Sequence, residues 1–362
     1  MRKLPLKLNQ YDIRFLRYLD GANRRLHLIL FPTETCNFNC VYCYERHYNA
    51  HMKSEVIEGI KNLISNRVRR GLERLTLVFF GGEPLLKMDV LLQLAEHAKR
   101  LSEASSLDFR GSVVTNGYLL ARGVARKLIE YNIRSFQVTL DGPPHVHDSR
   151  RMLIGGRGTF EVIWANLNSL KEIEEDFRVL MRFNVDDSNY EDVKSFLSEV
   201  LRHFGDDARF ELTFYPLRDW RDFKKEPDPS LRRRVYQLSL HAKSLGIKLN
   251  PGYKLVPMGM VCYAGLPNSF VIRADGTIQK CTVALYDELN NVGKLEPDGK
   301  LQLYEERLSQ WLNLNALNFI KCRACEPRLR EACQGLACPY ASIIRGEPLC
   351  IPKWEVELLE EL

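Results

Sequence analysis

Thr35-Cys36-Asn37-Phe38-Asn39-Cys40-Val41-Tyr42-Cys43 follows closely on an apolar run at residues 27–31 and decides how the 362-residue sequence is read. Its C-x3-C-x2-C spacing puts three thiols on one tight loop at the end of a predicted strand. Three thiolates can hold three irons of a [4Fe–4S] cube and leave the fourth iron to a ligand from outside, because such cubes otherwise take four cysteines. A zinc site completed by His47 or His51 is the other reading that the spacing allows.

Outward from this loop, residues 25–215 alternate short apolar runs with amphipathic stretches, the pattern of repeated βα units. The runs lie at 27–31, 75–80, 109–115, 135–140, 177–185 and 209–215. The predicted helices between them lie at 54–70, 90–101, 119–131, 160–173 and 190–203. Six strands with intervening helices suggest an α/β fold, a parallel sheet curled into a partial (β/α)6 barrel. A flat doubly wound sheet has the same periodicity. In either arrangement function collects at the C-terminal ends of the strands. Residues 1–24 form a short N-terminal segment. Residues 216–254 read as a bridge, with a charged, proline-bearing stretch and a predicted helix at 231–245. Residues 255–362 are short-stranded, with turn signals at Asp275-Gly276 and Pro297-Asp298-Gly299, and a region with so little core of its own would need metal clusters to hold it together. A short acidic helix is predicted at 354–362.

Composition narrows the class. Hydrophobic residues make up 45% and charged residues 27%, as in an ordinary globular protein. The net charge of +6 is too modest to indicate nucleic-acid binding by itself. The start, MRKLPLKLNQYD, has no apolar stretch of the kind a signal peptide needs, and no run suits a membrane helix, so the chain reads as cytoplasmic. In that compartment ten cysteines point to metal ligation rather than disulfides. Three lie in the loop, and the other seven begin at Cys262, more than two hundred residues later.

The cysteine loop, with an aromatic residue (Tyr42) before its third cysteine, resembles the signature of the radical S-adenosylmethionine superfamily. The following strand ends are similar in order: Gly81-Gly82-Glu83-Pro84, Thr115-Asn116-Gly117, Thr139-Leu140-Asp141-Gly142-Pro143, and Arg182 with Asn184 on one face of the fifth strand. The resemblance covers roughly residues 26–215. It implies that the open iron chelates the methionine moiety of S-adenosylmethionine and that reductive cleavage yields a 5′-deoxyadenosyl radical, which abstracts a substrate hydrogen. Gly81 and Gly82 would admit the cofactor, and Glu83 would accept from its amino group. Thr139 and Asp141 would meet ribose or carboxylate oxygens, and Arg182 would pair with the carboxylate or stay solvated.

The distal cysteines comprise Cys262, Cys281, Cys322-x2-Cys325-x7-Cys333-x4-Cys338 and Cys350. Four of them fit a zinc ribbon, which leaves Cys262, Cys281 and Cys350 without a task. The arrangement is similar to the SPASM extension of peptide- and protein-modifying radical enzymes, whose middle block (C-x2-C-x5-C-x3-C) is slightly tighter. That resemblance implies an outer auxiliary cluster on Cys322, Cys325, Cys333 and Cys350, and an inner one on Cys262, Cys281 and Cys338. The total is three [4Fe–4S] clusters.

Within the family, Leu140-Asp141-Gly142-Pro143, His147-Asp148, Arg150 and Gly158-Thr159-Phe160 are most similar to anaerobic sulfatase-maturating enzymes and maturases of ribosomally made peptides. The sulfatase subfamily has an aspartate after its second SPASM cysteine, whereas Thr282 follows Cys281 here. The expected function is therefore peptide maturation by hydrogen abstraction, giving a crosslink or an altered residue. Sulfatase maturation is the alternative, and a non-catalytic iron–sulfur or zinc-binding protein is the alternative of another class. The expected partners are a peptide or protein substrate and an external flavodoxin- or ferredoxin-like electron donor. About 25 residues precede the first strand, too few for a peptide-recognition domain, so a separate recognition protein or direct capture at the barrel mouth would replace it.

Overall fold

A computed structural model of the chain describes residues 24–219, 228–250, 262–312 and 344. Its centre is a ten-stranded sheet. Six strands, β1 (Arg25–Thr33), β3 (Arg74–Gly81), β4 (Asp108–Thr115), β5 (Ile133–Leu140), β7 (Arg178–Val185) and β8 (Phe210–Pro216), run parallel and lie side by side in chain order. The two extra strands, β2 (Phe38–Cys40) and β6 (Arg151–Leu153), form a separate ribbon.

Strand order decides between the two architectures. A doubly wound sheet needs a reversal of order, and none occurs among the six strands. Right-handed crossovers that always step the same way put every helix on one face and leave the other face to the interior. The burial pattern records this. In β3 the alternate residues Leu75, Leu77 and Phe79 are fully buried, whereas Thr76, Val78 and Phe80 on the opposite face are half-buried. The first set belongs to the main core. Val78 and Phe80 pack with Ile29, Phe31, Val271 and Leu285 in a second, inner cluster. The chain thus has the parallel α/β sheet of a partial barrel.

The helices are α1 (Ser54–Arg69), α2 (Met88–Ala104), α3 (Arg122–Glu130), the short α4 (Pro144–Arg150), α5 (Phe160–Leu170), α6 (Tyr190–Phe204), α7 (Pro229–Ser244) and α8 (Glu305–Leu312). Each long barrel helix has one buried stripe; in α1 it is Val56, Ile57, Ile60, Leu63 and Ile64, at the spacing of one helical face. Burying each such side chain contributes roughly 1.5–3 kcal/mol, so packing rather than propensity holds the helix. Asp228 caps α7 by accepting from Ser230 N at 2.8 Å.

The described part of the C-terminal region continues the barrel sheet. Strand β9 (Ser269–Ile272) lies parallel to β1, with His27 opposite Ser269, and β10 (Thr277–Gln279), β11 (Asn291–Leu295) and β12 (Leu301–Leu303) add on antiparallel. Both predicted turns are the hairpin turns here, with Gly276 and Gly299 each at φ +85°. The second hairpin rests on α1: Asn62 Nδ2 donates to Pro297 O at 2.8 Å, and a Cβ on Gly59 would stand 2.7 Å from Glu296 O. This region therefore draws its packing from the barrel. The acidic helix predicted at 354–362 lies outside the described residues.

Candidate functional site

The cysteine loop leaves β1 at Thr33 and is clamped by the β2–β6 ribbon, in which Cys40 sits opposite Arg151. Cys36 is buried, and Cys40 and Cys43 are half-buried. Phe38 N donates to Cys36 Sγ at 3.4 Å, and Cys43 N donates to Cys40 O at 3.1 Å. Burial pushes the Cys36 and Cys43 thiols up to about 12. It raises Cys40 as well, against the pull of Arg151. The three thiols interact electrostatically, so a cation must replace their protons before they can ligate.

The donor set, three thiols on one loop, fits a cube, which offers a separate iron to each thiolate. Of the two histidines considered for zinc, His47 Nε2 lies 3.3 Å from Cys43 Sγ, and His51 Nδ1 is turned to Thr33 Oγ1 at 2.8 Å. Cys36, Cys40 and Cys43 would hold the cluster.

The strand ends assemble around this loop. Gly81 adopts φ +111°, where a Cβ would stand 2.4 Å from Thr33 O, and a Cβ on Gly82 would stand 2.3 Å from Thr35 O. The backbone these glycines admit is that of residues 33–35, which accepts from Gly82 N at 3.3 Å and Glu83 N at 2.9 Å. Glu83 is fully buried. Its carboxylate takes Leu85 N at 3.0 Å, Thr115 Oγ1 at 2.7 Å and Asn116 N at 2.8 Å. Its first task is to join the ends of β3 and β4, although a carboxylate has room for a further donor. Asn116 carries the connection onward, donating through Nδ2 to Asn37 Oδ1 at 2.8 Å beside Cys36 Sγ at 4.0 Å.

Beyond Tyr42 lies a buried polar cluster. The Tyr42 hydroxyl accepts from Arg151 Nη1 at 2.8 Å and Asn184 Nδ2 at 3.1 Å. Arg182 and Asn184 share a face, as their spacing predicts, and Arg182 Nε donates to Asn184 Oδ1 at 3.0 Å. Asp141 is fully buried and accepts from Arg150 Nε at 3.1 Å; Arg150 Nη1 also reaches Asp186 at 2.9 Å. Thr139 is buried on the preceding strand end. Three buried polar atoms here have no partner: Asp141 Oδ1, Arg150 Nη2 and Arg151 Nε. Orphaned polar atoms are costly to bury, and beside a cysteine loop they suit a polar cofactor. His147, neutral because burial drives its pKa far down, carries a relay. It accepts from Asp141 N at 3.4 Å and bonds Thr159 Oγ1 at 3.1 Å, and Thr159 donates to Arg151 O at 2.5 Å. Sequence reasoning missed Arg151: it follows another arginine in a charged run, and only its pairing with Cys40 marks it.

The distal region contributes Cys262 and the buried Cys281. Val283 N donates to Cys281 Sγ at 3.4 Å. Between the two cysteines, the Tyr263 hydroxyl accepts from Thr282 N at 2.9 Å and shares a 2.7 Å bond with Thr282 Oγ1. Tyr44 and Tyr263 join the same inner cluster, which brings the cysteine loop to this pair. Another group missed by the sequence reading is Glu45, pushed up to about 8 by burial, with Arg273 opposing and Glu34 adding to the rise. Cys322, Cys325, Cys333, Cys338 and Cys350 lie outside the described residues.

Residues 30–200 match the family model of the Radical SAM superfamily. The chain carries a radical SAM domain. A cysteine-type anaerobic sulfatase-maturating enzyme of Clostridium novyi is 24% identical over 341 residues, spanning 86% of this chain and 88% of that one. The solved structure of native anSMEcpe with bound AdoMet and Cp18Cys peptide has a TM-score of 0.66 at 18% identity, covering 93% of this chain and 95% of that one. Streptococcus suis SuiB bound to precursor peptide SuiA has a TM-score of 0.55 at 14% identity, covering 86% and 72%. These structures share the fold with this chain. Among the described residues no helix is long and apolar enough to cross a membrane.

Proposed function

We propose that this radical SAM enzyme modifies a side chain of a peptide or protein by hydrogen abstraction, with a crosslink or an altered residue as product. One observation carries the reading: β9 pairs with β1, and Tyr263, which follows Cys262 and bonds Thr282 beside Cys281, packs with Tyr44 of the cysteine loop on the inner cluster. S-adenosylmethionine on a reduced cluster supplies the abstracting radical. The chain's own residues then have three tasks. Cys36, Cys40 and Cys43 hold the cluster, the Tyr42–Arg151–Asp141 group holds the cofactor's polar groups, and the half-buried inner face receives the substrate. Loss of two hydrogens balances if one leaves as a hydrogen atom on 5′-deoxyadenosine. The other would leave as a proton, and the distal cysteines, Cys262 and Cys281 among them, would hold a cluster able to take up the remaining electron.

Sulfatase maturation is the second reading, favoured by the near full-length similarity to the Clostridium novyi enzyme. Against it, Thr282 offers a hydroxyl already bonded to Tyr263, and a hydroxyl is a far weaker base than a carboxylate.

Incubating the reduced enzyme with deuterated precursor peptides and, separately, with a sulfatase peptide distinguishes the readings. The expected result is a two-hydrogen mass loss from a precursor, with its deuterium in 5′-deoxyadenosine. Formylglycine formed on the sulfatase peptide at a comparable rate would overturn the preference. Label transfer from RNA alone would discard peptide modification.

A further inference from the structure

On the inner face of the barrel, Arg182 stands in register with Thr139 on one neighbouring strand and Thr213 on the other. Parallel neighbours are about 4.8 Å apart, so a threonine flanks Arg182 on either side of its strand. The guanidinium is fixed from two directions. Its Nε donates to Asn184 Oδ1 at 3.0 Å, and its carbon lies 4.1 Å from the Tyr215 ring centroid. It is half-buried, and among the described residues no carboxylate forms an ion pair with it. An arginine held by its Nε and by one flat face presents both Nη atoms as a preorganised fork, the geometry that suits a carboxylate.

Two carboxylates are available to such a site, that of S-adenosylmethionine and one on the substrate. The cation acting on Cys40 and Cys43 is Arg151, which reaches the Tyr42 hydroxyl directly, whereas Arg182 is linked to it through Asn184. Arg182 leans instead toward Tyr215 on β8, the last strand of the parallel run among the described residues. We infer that the Thr139–Arg182–Thr213 row is a specificity site that binds an acidic side chain or the C-terminal carboxylate of the peptide substrate. This rests on the peptide-modification reading above.

The test uses the reconstituted full chain and a random-sequence peptide library. Wild type, Arg182→Met and Arg182→Lys are each loaded with S-adenosylmethionine and used to select peptides, and cofactor affinity is measured separately by equilibrium dialysis. The expected result is about tenfold enrichment of Asp, Glu or a free C-terminus at one position in the wild-type pool. That enrichment should vanish for Arg182→Met and partly return for Arg182→Lys, with cofactor affinity within about twofold throughout. A wild-type pool without acidic preference, or an unchanged preference in Arg182→Met, overturns the inference while leaving peptide modification standing. A tenfold loss of cofactor affinity in Arg182→Met assigns the fork to the methionine carboxylate and also overturns it. If no peptide is retained by any of the three proteins, the peptide-modification reading itself fails.

Discussion

Glu34 and Arg273, 239 positions apart, form a buried two-pronged ion pair. Arg273 Nε donates to Glu34 Oε1 at 2.8 Å, its Nη2 bonds Glu34 Oε2, and its Nη1 donates to Leu285 O at 3.1 Å. The pair ties the segment just before the first cysteine to the turn between β9 and β10. Arg46 N and Tyr286 Oη, 2.7 Å apart, form a second tie from the same loop.

Removing one partner of a buried pair leaves the other charge without compensation, at a cost of about 3–5 kcal/mol. Glu34→Gln should therefore lower the unfolding free energy by that order in anaerobic denaturant titrations. Arg273→Met in the Glu34→Gln background should recover part of the loss. A double variant whose loss equals the sum of the Glu34→Gln and Arg273→Met losses would mean that the two side chains act independently.

The fold was readable in the sequence where the signal is local. Short apolar runs such as 75–80 and 135–140 mark the strands, and the cysteine loop at the end of the first strand places the site. The choice between a partial barrel and a doubly wound sheet was not readable, because strand order is a long-range property with no trace in periodicity. Phe38–Cys40 and Arg151–Leu153 were missed because a three-residue strand shows no period, yet that ribbon brings Arg151 to Cys40. Spacing likewise marks Gly82 and Glu83 without revealing that their nearest neighbours are backbone groups of the cysteine loop and of the β4 end.

Gly82 provides a test of that packing. A Cβ placed 2.3 Å from Thr35 O forces the cysteine loop to move, since the obstacle is backbone. Gly82→Ala should lose most of the iron bound at the first cluster and destabilise the chain by roughly 1–3 kcal/mol. Gly123 in α3 has no atom within 4 Å of a built Cβ, so Gly123→Ala should be neutral or stabilise by about 0.5–1 kcal/mol. Iron content and melting temperature of the two variants check both. Equal iron loading in Gly82→Ala and wild type would contradict the close-packing account.

His27 makes stability depend on acid. It joins β1 to β9 through a 2.8 Å contact between Nδ1 and Ser269 Oγ, and burial, aided by the charge of Lys280, lowers its pKa from 6.5 to about 4. Between those values the unfolded chain takes up a proton that the folded chain refuses, so stability falls as pH drops through this window and levels off below it. The loss amounts to at most about 3 kcal/mol. His27→Gln should flatten the slope between pH 6.5 and pH 4 relative to wild type, and identical slopes would remove His27 as its source.

Metal loading separates the two cysteine regions. Cys36, Cys40 and Cys43 share one loop clamped by the β2–β6 ribbon, whereas Cys262 and Cys281 are placed by Tyr263, Asn290 and the β9–β10 hairpin. The two sets hang from different backbone segments, so emptying one should leave the ligands of the other in place. If the SPASM-like spacing carries two cubes, anaerobic reconstitution should give about twelve irons per chain, four for each of three clusters. Replacing Cys36, Cys40 and Cys43 together with alanine should reduce this to about eight and abolish 5′-deoxyadenosine formation, because the loop is the cysteine set that lies beside the polar Tyr42–Arg151 group. Undiminished cleavage in the triple variant would move the radical site away from the loop. About four irons in wild type, accompanied by stoichiometric zinc, would leave the loop cluster intact and make the distal cysteines a zinc site.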